Sequence, residues 1–229
     1  MKATTVALAI SFFATLNNLE AQKPPSGLPP KAPAGAPAAA DLAGASTVRV
    51  NVKSVKSQMQ FTPEIMAQRV IQKKTPTPRK WLEVEVTFTA EKAKAEVAKS
   101  GPTIDTLEFK YYVMTKHLDP VTKQPVMLSG TVTHVNVPDS VENHSVMYVS
   151  PGALSKLAAH ANFTEQDVQG VAVEVNYEGQ LVGGEAQPKA AGAKRWWSER
   201  TGLDGMMVNK NDTPFAPLWA DYYADIKAK

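Results

Sequence analysis

The chain beyond residue 46 carries the hydrophobic pattern of a β-rich domain. Apolar and polar residues alternate with a period of two in most segments, and many of the apolar positions hold β-branched or aromatic residues. Successive side chains of a strand point to opposite faces of a sheet, so this alternation predicts strands with one buried face. The predicted strands are residues 48–52, 81–90, 107–113, 126–137, 146–149, 171–177 and 180–182.

The second predicted strand shows the pattern most clearly. Leu82, Val84 and Val86 are expected to face the core, and Glu83 and Glu85 to share the opposite face. A solvated sheet face explains these two carboxylates better than acid–base catalysis does. In the fourth strand the buried face stays ambiguous, because threonine and valine alternate with valine, histidine and asparagine.

Turns and short helices are expected between the strands. The pair Glu178-Gly179 is a hairpin signal between the last two strands. Residues 63–72, 91–99 and 151–160 have helical composition, and each begins with proline or with good helix formers. None is long enough to organise a fold, so we interpret them as excursions between strands.

About seven such strands predict an all-β fold of two antiparallel sheets packed face to face, an immunoglobulin-like sandwich with short helical excursions. A sandwich of this type needs about 100 residues, so residues 47–229 must also hold the excursions, longer strands and a C-terminal extension. Two smaller β units are the alternative. We predict one domain over residues 47–229, because no second Pro/Gly-rich linker divides the region.

The first 46 residues have a different character. A lysine precedes an apolar run at residues 4–16, which has the size of the apolar region of a secretory signal and is too short to span a bilayer. We predict a signal peptide over residues 1–21, with an ordinary N-terminal helix as the alternative. Residues 22–46 are rich in proline, alanine and glycine, and predict a solvated spacer or a stub without a role.

These segments and the composition limit the classes of function. The leader predicts an exported protein, in the periplasm, at the outer membrane surface or in a pilus, and no later segment predicts a transmembrane span in the mature chain. The absence of cysteine excludes disulfide staples, zinc ribbons and cysteine nucleophiles. A formal net charge of +3 is too small to indicate a nucleic-acid-binding surface.

Residues that could carry chemistry are sparse. The four histidines lack the spacing of a metal motif, and we interpret them as surface or strand-end residues: His117, His134, His144 and His160. Serine, histidine and aspartate are present, but no Gly-x-Ser-x-Gly elbow and no phosphate-cradling glycine loop occurs. The sequence therefore predicts no catalytic residue, no metal site, no cofactor and no enzymatic activity.

Two aromatic segments hold the candidate binding residues. Trp196 and Trp197 are adjacent and lie beside cations, and neighbouring residues of a strand cannot both point inward. An exposed indole there indicates sugar stacking or a partner hot spot, whereas two rings that cap the sheets are the structural alternative. The C-terminal segment carries so much aromatic area that it is expected to pack on the domain or on a neighbouring subunit. Its candidate partner-binding residues are Phe215, Trp219, Tyr222 and Tyr223.

The combination of segments resembles a known class of proteins. A secretory leader, an Ala/Pro spacer, the strand TLEFKYYVM at residues 106–114 and the tail DTPFAPLW at residues 212–219 are similar to those of immunoglobulin-like, type IV pilus-associated envelope proteins of gut mucin-dwelling bacteria. The resemblance covers most of the chain after residue 46. It implies an immunoglobulin-like sandwich, export, and a part in pilus assembly or adhesion, and it transfers no catalytic residues. The leader lacks the long apolar helix that a prepilin retains, so we expect an accessory or surface role.

Two classes of function remain open. The first is a structural or interaction protein that binds itself or other pilus and envelope proteins through the aromatic tail or an exposed sheet edge. The second is a module in which Trp196 or Trp197 stacks on host or mucin glycans. For the first class, deletion of residues 214–229 is expected to abolish assembly without unfolding the domain.

Overall fold

The structure, a computed structural model, describes residues 46–63, 77–159, 162–188, 195–198 and 200–228. These ranges contain eight strands and two short helices, all within one compact unit, and they confirm the predicted sandwich. The strands are β1 (Val48–Phe61), β2 (Lys80–Lys92), β3 (Thr103–Leu118), β4 (Pro125–Pro138), β5 (Glu142–Val149), β6 (Val168–Tyr177), β7 (Gln180–Gln187) and β8 (Met207–Asn209). The helices are α1 (Lys94–Ser100) and α2 (Pro151–Leu157).

The strands form two antiparallel sheets of four strands each. Sheet 1 has the order β1-β2-β5-β8, and sheet 2 has the order β4-β3-β6-β7. All seven predicted strands are present, and each is longer in the structure than predicted. β8 was not predicted, because three residues are too few to show a period of two.

The core lies between the inner faces of the two sheets. Alternate residues of β2, including Leu82, Val84 and Val86, are fully buried, as the pattern predicts. Phe88 of sheet 1 meets Phe109 of sheet 2 with ring centroids 4.8 Å apart. Each such side chain contributes about 1.5–3 kcal/mol on burial, so the alternating faces supply most of the driving force for packing.

The structure of β4 shows why the sequence did not reveal which face of this strand is buried. Val132 and His134 face the core side and are buried, but the next buried residue is Val137. Asn136 between them has a left-handed backbone with φ 52°, which breaks the alternation. The interpretation of the histidines as surface or strand-end residues is therefore wrong for His134, which lies buried within β4.

The connections follow the local sequence signals. Glu178 and Gly179 both have positive φ, 49° and 77°, as a type I′ hairpin requires, so that prediction is confirmed. Helix α2 begins at Pro151, and the Ser150 hydroxyl caps it by accepting from the Ala153 amide at 3.2 Å.

Helix α1 starts later than predicted, because β2 continues to Lys92, and it ends at Ser100, followed by Gly101 as the C-cap with a φ of 81°. The helix predicted over residues 63–72 lies, beyond residue 63, outside the described residues, as do His160, the leader and all but the last residue of the spacer.

Parts of three sheet edges, those of β1, β4 and β7, are covered within the described chain. The Ser129 amide at the β4 edge donates to the Leu203 carbonyl at 3.0 Å, and the Leu203 amide donates back to Met127 at 2.7 Å. The β1 and β7 edges approach so closely that a Cβ at Gly183 would lie 2.5 Å from the Val50 carbonyl oxygen. Covered edges of this kind resist strand addition by a partner.

Candidate functional site

The C-terminal segment, residues 213–228, is called the tail from here on, and it packs on its own domain. Phe215 is buried on the outer face of sheet 1 and stacks on Tyr148, with centroids 4.6 Å apart and an interplanar angle of 5°. Trp81 meets the same ring edge-on at 5.9 Å. These contacts anchor the start of the tail to β2 and β5.

The far end of the tail reaches the edge of sheet 2. The Ala224 amide donates to the His144 carbonyl of β5 at 2.9 Å, and the Val135 amide of β4 donates to the Asp225 carbonyl at 2.9 Å. Ile226 forms an isolated antiparallel bridge with His134. The tail therefore fastens one sheet to the other, in addition to the core.

A series of buried, hydrogen-bonded polar side chains holds this end of the tail. His134 Nδ1 lies 3.0 Å from the Ala224 carbonyl oxygen, and its Nε2 lies 2.6 Å from the Ser145 hydroxyl. The Tyr111 hydroxyl donates to the same Ser145 oxygen at 2.6 Å. Burial lowers the pKa of His134 to about 4, against the hydrogen bonds to the tail carbonyls, which raise it. The imidazole is therefore neutral at pH 7, donates from Nδ1 and accepts at Nε2.

The tail forms a small, open pocket against strands β1 and β2, called the tail pocket below. Its volume is about 260 Å³. It brings together two carboxylates and two amides of the sheet with three aromatic rings of the tail: Gln58, Gln60, Glu83, Glu85, Trp219, Tyr222 and Tyr223. Three of the six predicted partner-binding residues therefore share one site.

Two of the tail's aromatic side chains remain exposed at this site. Trp219 is 51% exposed and Tyr222 is 47% exposed, whereas Tyr223 is half-buried. Trp219 also has a left-handed backbone with φ 52°, which is uncommon for a bulky residue. The tail thus holds a large aromatic side chain at the surface in a backbone conformation that costs free energy.

Glu83 is the residue whose environment the sequence did not show. It is only 2% exposed, so the interpretation of a solvated polar face is wrong at this position. The Tyr148 hydroxyl donates to one carboxylate oxygen at 2.9 Å, and the Gln58 amide donates to the other at 2.5 Å. The residues that cover Glu83 include a neighbour on β1 and the distant tail, so no local signal could have revealed its burial.

Glu85 completes the polar lining of the pocket. It accepts from the Tyr223 hydroxyl at 2.9 Å and from the Tyr222 hydroxyl at 3.5 Å. Burial is the main reason that the pKa of Tyr223 is raised, and the nearby Glu85 carboxylate raises it further. The pKa of Tyr148 is also raised, by burial and then by Glu83. Both phenols therefore stay protonated and donate to the carboxylates.

A buried lysine lies under the tail close to the pocket. The Lys210 ammonium donates to the Ala216 carbonyl at 2.8 Å and lies 5.7 Å from the centre of the Tyr223 ring. Burial lowers the pKa of this lysine. Its hydrogen bond goes to the tail backbone, so it fixes the turn at residues 213–216.

The tryptophan pair lies on the outer face of sheet 2, away from the pocket. Trp197 is only 7% exposed, and its indole Nε1 donates to Glu174 at 2.9 Å. Arg195 donates to the same carboxylate oxygen at 3.2 Å. Trp196 is half-buried and packs edge-on against Trp197 at 5.3 Å. Burial and then the Glu174 charge raise the pKa of neighbouring Tyr112 to about 12.

The described residues contain neither a metal-binding cluster nor a membrane-spanning helix. No group of three or more histidine, aspartate or glutamate side chains is arranged to hold a metal ion. No helix in the described ranges has the length and apolarity needed to cross a bilayer.

Comparisons with known proteins extend this picture. One protein-family model matches residues 41–229. A crystal structure of a protein from Akkermansia muciniphila is similar to the chain, with a TM-score of 0.68 and 25% sequence identity over 80% of this chain and 94% of that one. A comparison with curated proteins finds no match. The structural likeness agrees with the β-sandwich described above.

Proposed function

We propose that the chain, which belongs to the family whose model matches residues 41–229, is an exported structural or interaction protein. Its place is a type IV pilus or another cell-envelope assembly, where it contributes to adhesion. The signal-like leader and the proline-rich spacer support export and display of the domain. The organism of the similar crystal structure, a mucin dweller, agrees with the source that the sequence resemblance implies.

One observation carries this proposal, the exposed aromatic surface of the tail. Trp219 and Tyr222 are large, half-exposed side chains mounted on a segment that is itself anchored by buried contacts. Tryptophan and tyrosine are enriched among the residues that dominate binding energy at interfaces. A rigid base lowers the entropy that such side chains lose on binding, so this surface is suited to a protein partner.

The immunoglobulin-like assignment is part of the same proposal. If β1 to β7 are lettered A, B, C, C′, E, F and G, the sheets become ABE and C′CFG, the arrangement of an immunoglobulin-like sandwich. β8 lies beside β5, where the D strand lies in constant-type domains, but it comes from the C-terminal extension. The extension therefore supplies both an extra strand and the proposed binding surface.

The tryptophan pair supports the proposal less well than the tail does. The Trp197 indole donates a hydrogen bond to Glu174 and packs on the outer face of sheet 2. Only part of Trp196 remains available to a partner or to a sugar. We therefore assign the interface to Trp219, Tyr222 and Tyr223, and treat Trp197 and Phe215 as residues that pack the domain.

Crosslinking in the protein's own cells tests the proposal. The tagged protein is expected to give a ladder, or a discrete band with another envelope protein, on a denaturing gel. A Trp219→Ala/Tyr222→Ala double variant should lose that band. Phe61→Ala is the matched control, because Phe61 is 59% exposed and lies outside the tail pocket lining. A monomer band alone for the unaltered protein would contradict the proposal.

A further inference from the structure

We propose that the tail pocket binds a cationic group, the ammonium or guanidinium of a lysine or arginine side chain on a protein partner. The inference rests on the proposed function and deepens it, because it names the chemistry that the interface recognises. Three features of the pocket lead to it: its uncompensated charge, its aromatic walls and its size.

The pocket contains two carboxylates that no cation of the described chain neutralises. The ion pairs among the described residues involve other acidic groups, and neither Glu83 nor Glu85 takes part in one. Their hydrogen-bond donors are an amide and phenols, all of them neutral. Glu83 is buried and Glu85 is half-buried. A charge that is withdrawn from water is costly unless it is paired, so a ligand cation would supply a partner.

Nearby lysines do not fill this role. Lys210 is committed to the Ala216 carbonyl and to the Tyr223 ring, and no ion pair links it to either glutamate. Lys56 lies opposite Glu85 in the β1–β2 register, but it is exposed and is not part of the pocket lining. Within the described ranges, no cation therefore neutralises the negative charge of the pocket.

The aromatic rings suit a cation that carries an apolar stem. Tyr222 and Tyr223 stand perpendicular, at 89° with centroids 4.9 Å apart, so the pair offers both a ring face and a ring edge. Tyr222 is held by stacking on His144, at 3.9 Å and 14°. A cation over such a face gains roughly 0.5–2 kcal/mol. Trp219 at the rim can cover the methylene stem of a lysine or arginine.

The size of the pocket fits a side-chain head. Its volume of about 260 Å³ is just below the range of about 300–1,000 Å³ that is usual for drug-sized ligands. A neutral sugar could stack on Trp219, but it would leave both carboxylates without a counter-charge. A basic side chain would neutralise the charge, contact the aromatic rings and fit the volume of the pocket.

Titration with short peptides tests the inference. The purified protein is titrated with Ac-Gly-Lys-Gly-NH₂, with the norleucine peptide that has an uncharged side chain, and with n-butylammonium, and Trp219 is followed by its indole signal in ¹H–¹⁵N spectra. We expect the lysine peptide to bind at least about 10-fold more tightly than the norleucine peptide, and to weaken as salt is raised.

Variants connect binding to the pocket. Glu85→Gln should lower the affinity for the lysine peptide about 10-fold, because it removes charge but keeps the shape of the side chain. Glu83→Gln should act in the same direction. Glu142→Gln is the control, since Glu142 is an exposed carboxylate of the same sheet that pairs with Lys53 at 2.8 Å. Unchanged thermal midpoints would show that the pocket variants are folded.

The outcomes separate this inference from the proposed function. Equal binding of the lysine and norleucine peptides, or unchanged affinity in Glu85→Gln, would overturn the cationic ligand. n-Butylammonium carries the same ammonium head and methylene stem, so it is expected to bind as well, and a failure of n-butylammonium to bind would overturn recognition of the side-chain head. Suppose that the Trp219→Ala/Tyr222→Ala variant loses its crosslinks, but the unaltered protein does not bind the lysine peptide. The interface at the tail would then be sustained, and only the cationic ligand would be overturned.

Discussion

Glu83 and His134 are polar side chains that the fold buries, and both owe their burial to contacts distant in sequence. Glu83 meets Tyr148 across the sheet, and His134 meets the tail carbonyls about 90 residues further along the chain. In each case hydrogen bonds replace the lost water. His134 therefore helps to fix the position of the tail, in addition to its apolar contacts.

We expect His134 to contribute to the acid sensitivity of the protein. Its pKa of about 4 in the folded state lies below the ordinary value of 6.5, so between these pH values the unfolded chain binds the proton and the folded chain does not. The contribution of neutral His134 to the free energy of unfolding is complete above pH 6.5 and is lost as the pH falls toward 4. The loss amounts to about 3 kcal/mol.

Urea unfolding at several pH values measures this contribution. The carboxylates also titrate in this range, so the comparison is between the unaltered protein and His134→Gln, which can still donate and accept hydrogen bonds. The variant should be less stable at pH 7 and should show a shallower fall between pH 6.5 and 4. Parallel curves for the two proteins would mean that His134 does not carry the pH dependence.

At the scale of elements, the tail is a part of the domain. It contributes Phe215 to an apolar cluster with Val146 and Tyr148, and its backbone pairs with β4 and β5. Deletion of residues 214–229 would expose that cluster and the buried hydrogen bonds of His134. We therefore expect the deletion to destabilise the fold, in contrast to the expectation drawn from the sequence.

Single substitutions separate the tail's anchoring residues from its exposed ones. Phe215→Ala should lower the free energy of unfolding by about 3–5 kcal/mol, because it removes a buried ring stacked on Tyr148. Trp219→Ala, at a half-exposed position, should change it by no more than about 0.5 kcal/mol. Chemical denaturation of the two variants provides the measurement. Equal effects would show that the tail is not anchored at Phe215.

The elements also show what sequence reasoning can reach. The seven long strands and the Glu178-Gly179 hairpin follow from local periodicity and turn chemistry, and the structure has them. β8, the buried Glu83 and the tail pocket depend on contacts between segments far apart in the sequence. Alternation along one strand cannot show that a distant tail will cover its polar face.

At the scale of the whole molecule, the tail joins the two sheets and carries the proposed binding surface. One end packs on the outer face of sheet 1, and the other pairs with the β4 edge of sheet 2. Parts of the β1, β4 and β7 edges are covered, and we propose the aromatic and acidic pocket as the feature best suited to a partner. The sequence identified three of its aromatic residues, but it could not show that Glu83 and Glu85 lie among them.

The most direct measurement of the central claim is site-specific photocrosslinking in the protein's own cells. A photoreactive phenylalanine derivative is placed at Trp219 in one variant and at Phe61, an exposed aromatic position outside the tail pocket lining, in another. The account predicts a discrete adduct with an envelope protein or a second copy from position 219, and none from position 61. No adduct from position 219, or equal adducts from both positions, would contradict a binding surface at the tail.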